Sequence, residues 1–334
     1  MTTSTQVQLV SRPSGWPTAE DFRTVTVDLP DLADGEVRVE NEFISVDPYM
    51  RGRMNDAKSY TPPYALGETM TGGAVGRVVA SRADGLPEGT LVVHGLGWRD
   101  VAQAPAEQFR PVAEVPGHPD SVHLGILGMT GLTAYVGLTE IAHLREGETV
   151  FVSGAAGAVG TAVGQIARLL GAGRVVGSAG SAGKVELLTS RYRYDAAANY
   201  KDAPIRRQLP ALVPDGVDVF FDNVGGDHLE AAIDVFNPHG RAALCGAISG
   251  YNATERPAGP DNLWHLVSKK LTLRGFIVGD HPQVAAEFRE RMTGWFAQGE
   301  VVYDETVVDG IGNSVDAFLD MMRGANTGKM LVRI

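Results

Sequence analysis

Three glycines, Gly154, Gly157 and Gly160, stand at three-residue intervals directly after the apolar run Thr149–Ser153. Small residues there have a chemical use. A side chain would hold the backbone away from a pyrophosphate, and a helix that follows presents unpaired N–H groups and the positive end of its dipole to the anion. Glycines also mark tight turns and close helix packing. The strand before this triplet and the apolar helix after it, through Gly164–Leu170, supply the context of a dinucleotide site. The next strand ends in Val176-Gly-Ser-Ala-Gly-Ser-Ala-Gly-Lys184, with no acidic residue until Glu186. A carboxylate at that strand end would hold ribose hydroxyls and repel a 2′-phosphate, whereas serines and a lysine can bond and neutralise one. The pattern predicts NADP rather than NAD, with Lys184 as a phosphate ligand. The alternative for Lys184 is a solvated residue early in a helix.

Other chemistries lack their residues. A catalytic zinc needs Cys, His and carboxylate ligands with an open position. The chain before residue 123 has no cysteine, and His94, His118 and His123 lack ligand-like spacing. The single cysteine, Cys245, cannot form an intrachain disulfide and reads as packing at a strand end. With no such ligand set, metal is expected to be absent, and no Ser–His–Asp arrangement is evident either. The net charge of −11 argues against a nucleic-acid partner. No stretch of about 20 apolar residues predicts a membrane span. Met1 to Pro13 lacks the apolar run of a secretory signal, so the expectation is a cytoplasmic protein.

The elements that position these residues form two groups, as 334 residues exceed the roughly 250–300 at which single cores stop growing. Before about residue 120, short β-branched runs (Val37–Val39, Gly73–Ala80, Thr90–Val93) alternate with Gly and Pro, as in a compact β-rich domain. From Gly125 onward, strands alternate with helices, the pattern of a doubly wound parallel sheet. The strands are Thr149–Ser153, Arg174–Gly177, Val217–Phe221, Arg241–Leu244 and Leu271–Val278; helices run to Leu170 and over Ala182–Arg191. Glu305–Val308 and Lys329–Ile334 read as strands with a helix between them. They complete the first domain or, equally, extend the central sheet. The first reading gives a β-rich domain of 1–122 with 300–334 and a nucleotide domain of 123–299.

Several segments resemble one family. They are Val46-Asp-Pro-Tyr-Met-Arg-Gly-Arg-Met54, Gly128-Met-Thr-Gly-Leu-Thr-Ala-Tyr135, Gly154-Ala-Ala-Gly-Ala-Val-Gly160, Phe221-Asp-Asn-Val-Gly-Gly226, Cys245-Gly-Ala-Ile-Ser-Gly-Tyr-Asn252, Gly275-Phe-Ile-Val278 and Gly324-Ala-Asn-Thr-Gly-Lys329. In this order they resemble the leukotriene 12-hydroxydehydrogenase/prostaglandin reductase family, zinc-free medium-chain dehydrogenases/reductases that include 2-alkenal and curcumin reductases. The resemblance implies an α/β fold: a Rossmann doubly wound parallel sheet inserted in a GroES-like β-rich domain. It also implies NADPH, a homodimer and reduction of α,β-unsaturated ketones or aldehydes. Carried over by position, Ala158, Val159, Gly160 and Thr161 resemble the pyrophosphate site, and Lys184 and Tyr200 the adenosine-phosphate pair. Asn223, then Cys245, Gly246, Ala247, Ile248, Ser249, Gly250 and Tyr251, then Phe276, Ile277, Val278 and Asn326 resemble the residues along ribose and nicotinamide. Thr130 is expected near the nicotinamide, or else as a helix N-cap. In plant members a tyrosine faces the substrate shortly before the Gly-Phe-Val motif; here Ser268 holds that place.

Reducing a conjugated double bond puts negative charge on the carbonyl oxygen, which calls for a hydrogen-bond donor aimed there. Tyr49 is the expected catalytic donor, with packing against Pro48 and Met50 as the alternative. Trp98, Met129 and Ser268 join Tyr49 as expected pocket residues, ordinary burial being the alternative for Trp98. Asp47 and Arg51 read as an ion pair holding the Tyr49 loop, with a catalytic role as the alternative. A zinc-free quinone reductase and a cofactor-binding sensor without turnover are the competing functions.

Overall fold

The computed structural model describes residues 2–334. By internal contacts the chain divides into one unit of residues through Gly125 together with Glu305–Ile334, and a second of Ile126–Asp304. The boundaries read from sequence lie a few residues earlier.

The first unit is β-rich. Strands β1 (Thr2–Leu9) and β2 (Phe22–Leu29) form an antiparallel ribbon. Then come β3 (Glu36–Ser45), the short helix α1 (Tyr49–Arg53), β4 (Ala74–Ser81), β5 (Leu91–His94), β6 (Val101–Pro105) and β7 (Phe109–Pro111). Alternation explains these strands: Val37 and Val39 of β3 point inward and meet Val78, Val92 and Ala102. The C-terminal elements of this unit are β14 (Glu305–Asp309), α9 (Ser314–Met322) and β15 (Lys329–Arg333). The sheet runs β14-β15-β3-β4-β5-β7, with β6 also on β3. The C-terminal strands therefore complete the first unit rather than the central parallel sheet, because Phe43–Ser45 of β3 pair with Leu331–Arg333.

The second unit begins with α2 (Met129–Val136) and continues β8 (Thr149–Val152), α3 (Ala158–Leu169), β9 (Arg174–Ala179), α4 (Ala182–Ser190), β10 (Ala196–Asn199), α5 (Ile205–Leu212), β11 (Val217–Asp222) and α6 (Asp227–Val235). It closes with β12 (Phe236–Leu244), α7 (Trp264–Ser268), β13 (Thr272–Gly275) and α8 (Ala285–Ala297). All six strands are parallel, in the order β10-β9-β8-β11-β12-β13. This is the Rossmann order, which reverses between β8 and β11. Helices cover both faces, so the central strands read as continuous apolar runs. Val150, Val152, Val219 and Phe221 pack against α2, α3 and α8; Phe151 and Phe220, stacked at 5.0 Å, pack toward α5 and α6. The last sheet strand is shorter than the Leu271–Val278 expected, because the chain turns into a 3-10 segment at Val278.

Candidate functional site

Ligands of such sheets bind beyond the carboxyl ends of the strands, at the reversal. There β8 turns through Gly154 (φ +58°) to Gly157, which starts α3 without any side-chain cap. The N–H groups of the first helical turn are thus left for an anion. Gly160 must be glycine: a Cβ would stand 2.5 Å from the Gly154 carbonyl oxygen and 2.6 Å from Ala155 Cα. The turn is braced from below by the buried Tyr194 hydroxyl, which donates to the Gly160 carbonyl (2.7 Å). Thr161 is buried, and its hydroxyl donates to the Ala158 carbonyl (3.2 Å).

At the end of β9, Ser181 spends its side-chain oxygen as the N-cap of α4, accepting the Lys184 N–H (3.3 Å). Lys184 is half-buried, and its ammonium is held below the usual lysine range by that burial and by the charge of Lys201. Tyr200, just past β10, is exposed on one side and set edge-to-face against the His228 ring (5.3 Å) on the other.

The ends of β8 and β11 are tied by a buried carboxylate. Asp222 Oδ1 accepts from Ser153 Oγ (2.7 Å), Gly225 N–H (2.9 Å) and Val224 N–H (3.0 Å). Burial raises this carboxyl above its ordinary range, and those donors pull against the shift. Asn223 donates its backbone N–H to Ser153 Oγ and its side-chain amide to the Ser153 carbonyl (both 2.8 Å). Thus Asp222 shapes the Gly225-Gly226 turn. The loop after β12 is lashed to the same place. Cys245 and Gly246 donate to the Asp222 carbonyl (2.8 and 3.0 Å), Ile248 N–H to the Asn223 carbonyl (3.3 Å), and Ser249 Oγ to the Val224 carbonyl (2.6 Å). The Tyr251 hydroxyl accepts from Ala247 N–H (3.4 Å), closing the loop over Gly250. Burial pushes the Cys245 thiol up to about 12, which makes it packing rather than a nucleophile. Phe276 lies edge-on to Phe221 (6.2 Å), followed by half-buried Ile277 and Val278. The N-cap of α2 is Gly128; Thr130 is buried within the first turn, and Met129 is 43% exposed.

In the first unit, Tyr49 opens α1 and is half-buried. No described residue accepts a hydrogen bond from its hydroxyl. Burial first, then the charge of Asp47, keeps it a phenol far into the alkaline range. The preceding turn is anchored by Lys329, whose buried ammonium donates to the Val46 carbonyl (2.8 Å), the Met330 carbonyl (3.0 Å) and Asp47 Oδ1 (3.1 Å). Ser45 Oγ donates to the other Asp47 oxygen (2.5 Å). Asn326 donates to the Gly328 carbonyl (2.8 Å), shaping the turn into β15.

The uncapped α3 turn, the end of β9 without an acid, and the half-buried lysine fit a dinucleotide bearing a 2′-phosphate. Comparisons with known proteins agree. A family model described as the N-terminal domain of oxidoreductase matches residues 5–112, and one described as zinc-binding dehydrogenase matches 158–298. The NADPH-dependent curcumin reductase of Escherichia coli is 38% identical over 98% of this chain and 95% of its own length. Prostaglandin reductase 1 of Bos taurus is 41% identical over 96% and 95%. The crystal structure of CurA in complex with NADPH from Vibrio vulnificus superposes with a TM-score of 0.93, at 41% identity and 98% coverage of each chain. The chain belongs to the prostaglandin and curcumin reductase family of NADP-dependent oxidoreductases. Despite the wording of the second match, no group of three His, Cys, Asp or Glu among the described residues of this reductase could hold a metal ion.

Against the expectations for such a reductase, the second unit brings the phosphate turn, Asn223 and the Cys245–Tyr251 loop together. Two readings in the first unit need correction. Trp98 is wholly buried, stacked on Phe22 (6.3 Å) and edge-on to Phe318 (6.1 Å), so it shows no face to a substrate. The loop ion pair joins Asp47 to Lys329, not to Arg51, whose guanidinium instead donates to the Gly15 carbonyl and Asn55 Oδ1 (both 2.8 Å). Ser268 is exposed on α7, its hydroxyl 3.5 Å from the His265 carbonyl. Sequence reading missed Ser153, Asp222 and Lys329. An Asp directly after the apolar pair Phe220-Phe221, at the end of a central strand, was the available signal for Asp222; Lys329 stood only as the last residue of the Gly324–Lys329 segment, with no role read for it.

Proposed function

We propose that this reductase uses NADPH to reduce the activated C=C bond of α,β-unsaturated ketones and aldehydes. When bound, NADPH supplies a hydride to the β-carbon. The observation that carries the reading is the Tyr49 hydroxyl, a half-buried donor kept protonated and without an acceptor of its own. Tyr49 holds its proton toward the carbonyl oxygen as charge gathers there, and solvent protonates the α-carbon. The main chain of Ala158–Thr161 holds the pyrophosphate, Lys184 and Tyr200 the adenosine phosphate, and Asn223 with the Cys245–Tyr251 loop and Phe276–Val278 the nicotinamide ribose side. Thr130, Met129 and Asn326 complete the proposed contacts. The names of the relatives support the substrate class, since curcumin carries C=C bonds conjugated to carbonyl groups.

The reading extends to a cytoplasmic homodimer. In its support, β13 is the outer strand of the parallel sheet, and Leu263, Trp264 and Val267 nearby are 50%, 64% and 83% exposed. Light scattering on the eluting protein tests that. The activity is tested by following NADPH absorbance with a panel of enones, enals and quinones and identifying the products. Saturated ketones and aldehydes are expected. Allylic alcohols, or turnover of quinones alone, would overturn the reading.

A further inference from the structure

The strand-to-helix turn after β9 is roofed by two side chains that arrive from the end of β10. A Cβ on Gly180 would lie 2.7 Å from Tyr200 Oη and 3.3 Å from Lys201 Cε, so both side chains close over the bare backbone of this glycine. Lys184 reaches the same turn from the first turn of α4, close enough for the Lys201 charge to be felt at its ammonium. Two like charges are thus gathered at the strand end where an NAD-binding chain would place a carboxylate.

The segment that carries Lys201 is built rather than loose. Tyr200 N–H donates to the Ala179 carbonyl (3.1 Å), and Lys201 N–H to Asn199 Oδ1 (3.2 Å). The neighbouring acid, Asp202, is engaged by the Asn199 amide (2.7 Å). Lys201 itself is exposed and enters no ion pair among the described residues. Behind Tyr200 stands His228, 5% exposed, with a ring nitrogen that meets no hydrogen-bond partner among the described residues. Burial pushes this imidazole down to about 4, so a neutral ring, not a third cation, backs the tyrosine.

We propose that Lys201 is a second cationic ligand of the adenosine 2′-phosphate, acting with Lys184 across the Gly180 turn, so that a lysine pair sets the preference for NADPH over NADH. The inference rests on the NADPH reading above. A phosphate monoester carries about −1.5 to −2 charges at neutral pH, enough to pair with both ammonium groups and to remove the repulsion between them.

Calorimetric titration of the full chain with adenosine 2′,5′-bisphosphate and with adenosine 5′-monophosphate reads this site without any turnover. Lys201→Met is expected to weaken the bisphosphate about ten-fold or more, the loss of one charged contact, and to leave the monophosphate unchanged. Lys201→Arg is expected to keep most of the affinity. Lys184→Met provides the second arm. If Lys184→Met weakens the bisphosphate and Lys201→Met does not, the lysine pair is refuted and the NADPH reading stands. If neither variant changes it, the phosphate site itself has been misplaced. Equal weakening of both nucleotides by Lys201→Met would mean a disturbed fold, and would also refute the proposal.

Discussion

Each unit places a buried carboxylate beneath its functional loop, and the two are neutralised differently. Asp222 is surrounded by donors without net charge, the Ser153 hydroxyl and two backbone N–H groups. Asp47 faces a full ammonium, that of Lys329. Dipoles leave the Asp222 charge uncompensated, which is why burial lifts its carboxyl above the ordinary range. They also fix several loop atoms at once, which suits a turn that must hold a cofactor through its backbone. An ion pair compensates the charge but depends on one partner. Removing that partner strands a charge in the interior.

The sharpest way to break the comparison is Lys329→Met. It leaves Asp47 buried and unpaired, and about 3–5 kcal/mol of stability is expected to go, read as a lowered urea midpoint. Adding Asp47→Asn to that variant is expected to restore most of it. An unshifted midpoint in the single variant would show that the pair contributes nothing net.

Tyr49→Phe comes next and probes the loop that this pair holds. It removes only the hydroxyl. Turnover of an enone is expected to fall about ten- to fifty-fold, below the two-decade cost typical of oxyanion-hole donors, because a ribose hydroxyl of the bound cofactor would supply a second donor. NADPH affinity by fluorescence titration is expected to hold. Full turnover in the variant, with hydride transfer shown to limit the rate, would return Tyr49 to packing.

A smaller effect separates the units by pH. His94 in the first and His228 in the second are buried, their pKa values pushed down to about 3 and about 4 from 6.5, chiefly by burial. Each takes up its proton on unfolding. Stability is therefore greatest above the unfolded value and falls as pH drops from 6.5 toward the folded one, by at most ~1.4 kcal/mol per unit for each ring. His228→Phe keeps a ring against Tyr200 and is expected to flatten the acid side of the urea-midpoint profile. The same slope in the variant would exclude His228 as a source. No effect is expected from chelators. Activity lost to a chelator and restored by zinc would overturn the zinc-independent reading.

What could be read from the sequence follows the same division. The phosphate turn is local: strand, glycines and helix all lie within Thr149–Leu169, and sterics dictate the residue types. The parallel, doubly wound sheet of the second unit followed from alternation with helices, although α5, interrupted by Pro210, and the short β10 gave too little pattern to be seen. In the first unit the informative contacts are long-range. Trp98 sits in a glycine-flanked turn that resembles a pocket rim, but Phe22 and Phe318 bury it from far along the chain. The N-terminal ribbon was missed because Thr2–Leu9 is mostly polar and draws its order from pairing with Phe22–Leu29. The partner of Asp47 lies 282 residues away, where no local spacing can announce it.

That separation has a consequence for synthesis. The second unit is one uninterrupted stretch and has all its strands once Asp304 has emerged. The first must wait for the segment that carries β14, α9 and β15. At about 5–20 residues per second, the early strands spend many seconds without it. During that time Phe43–Ser45 is an open sheet edge and Asp47 has no counter-ion, so the N-terminal half of a nascent chain is the part exposed to mispairing and chaperones. Lys329, which locks the turn before Tyr49, is made 282 residues after Asp47, so that loop is fixed only once the later segment has emerged.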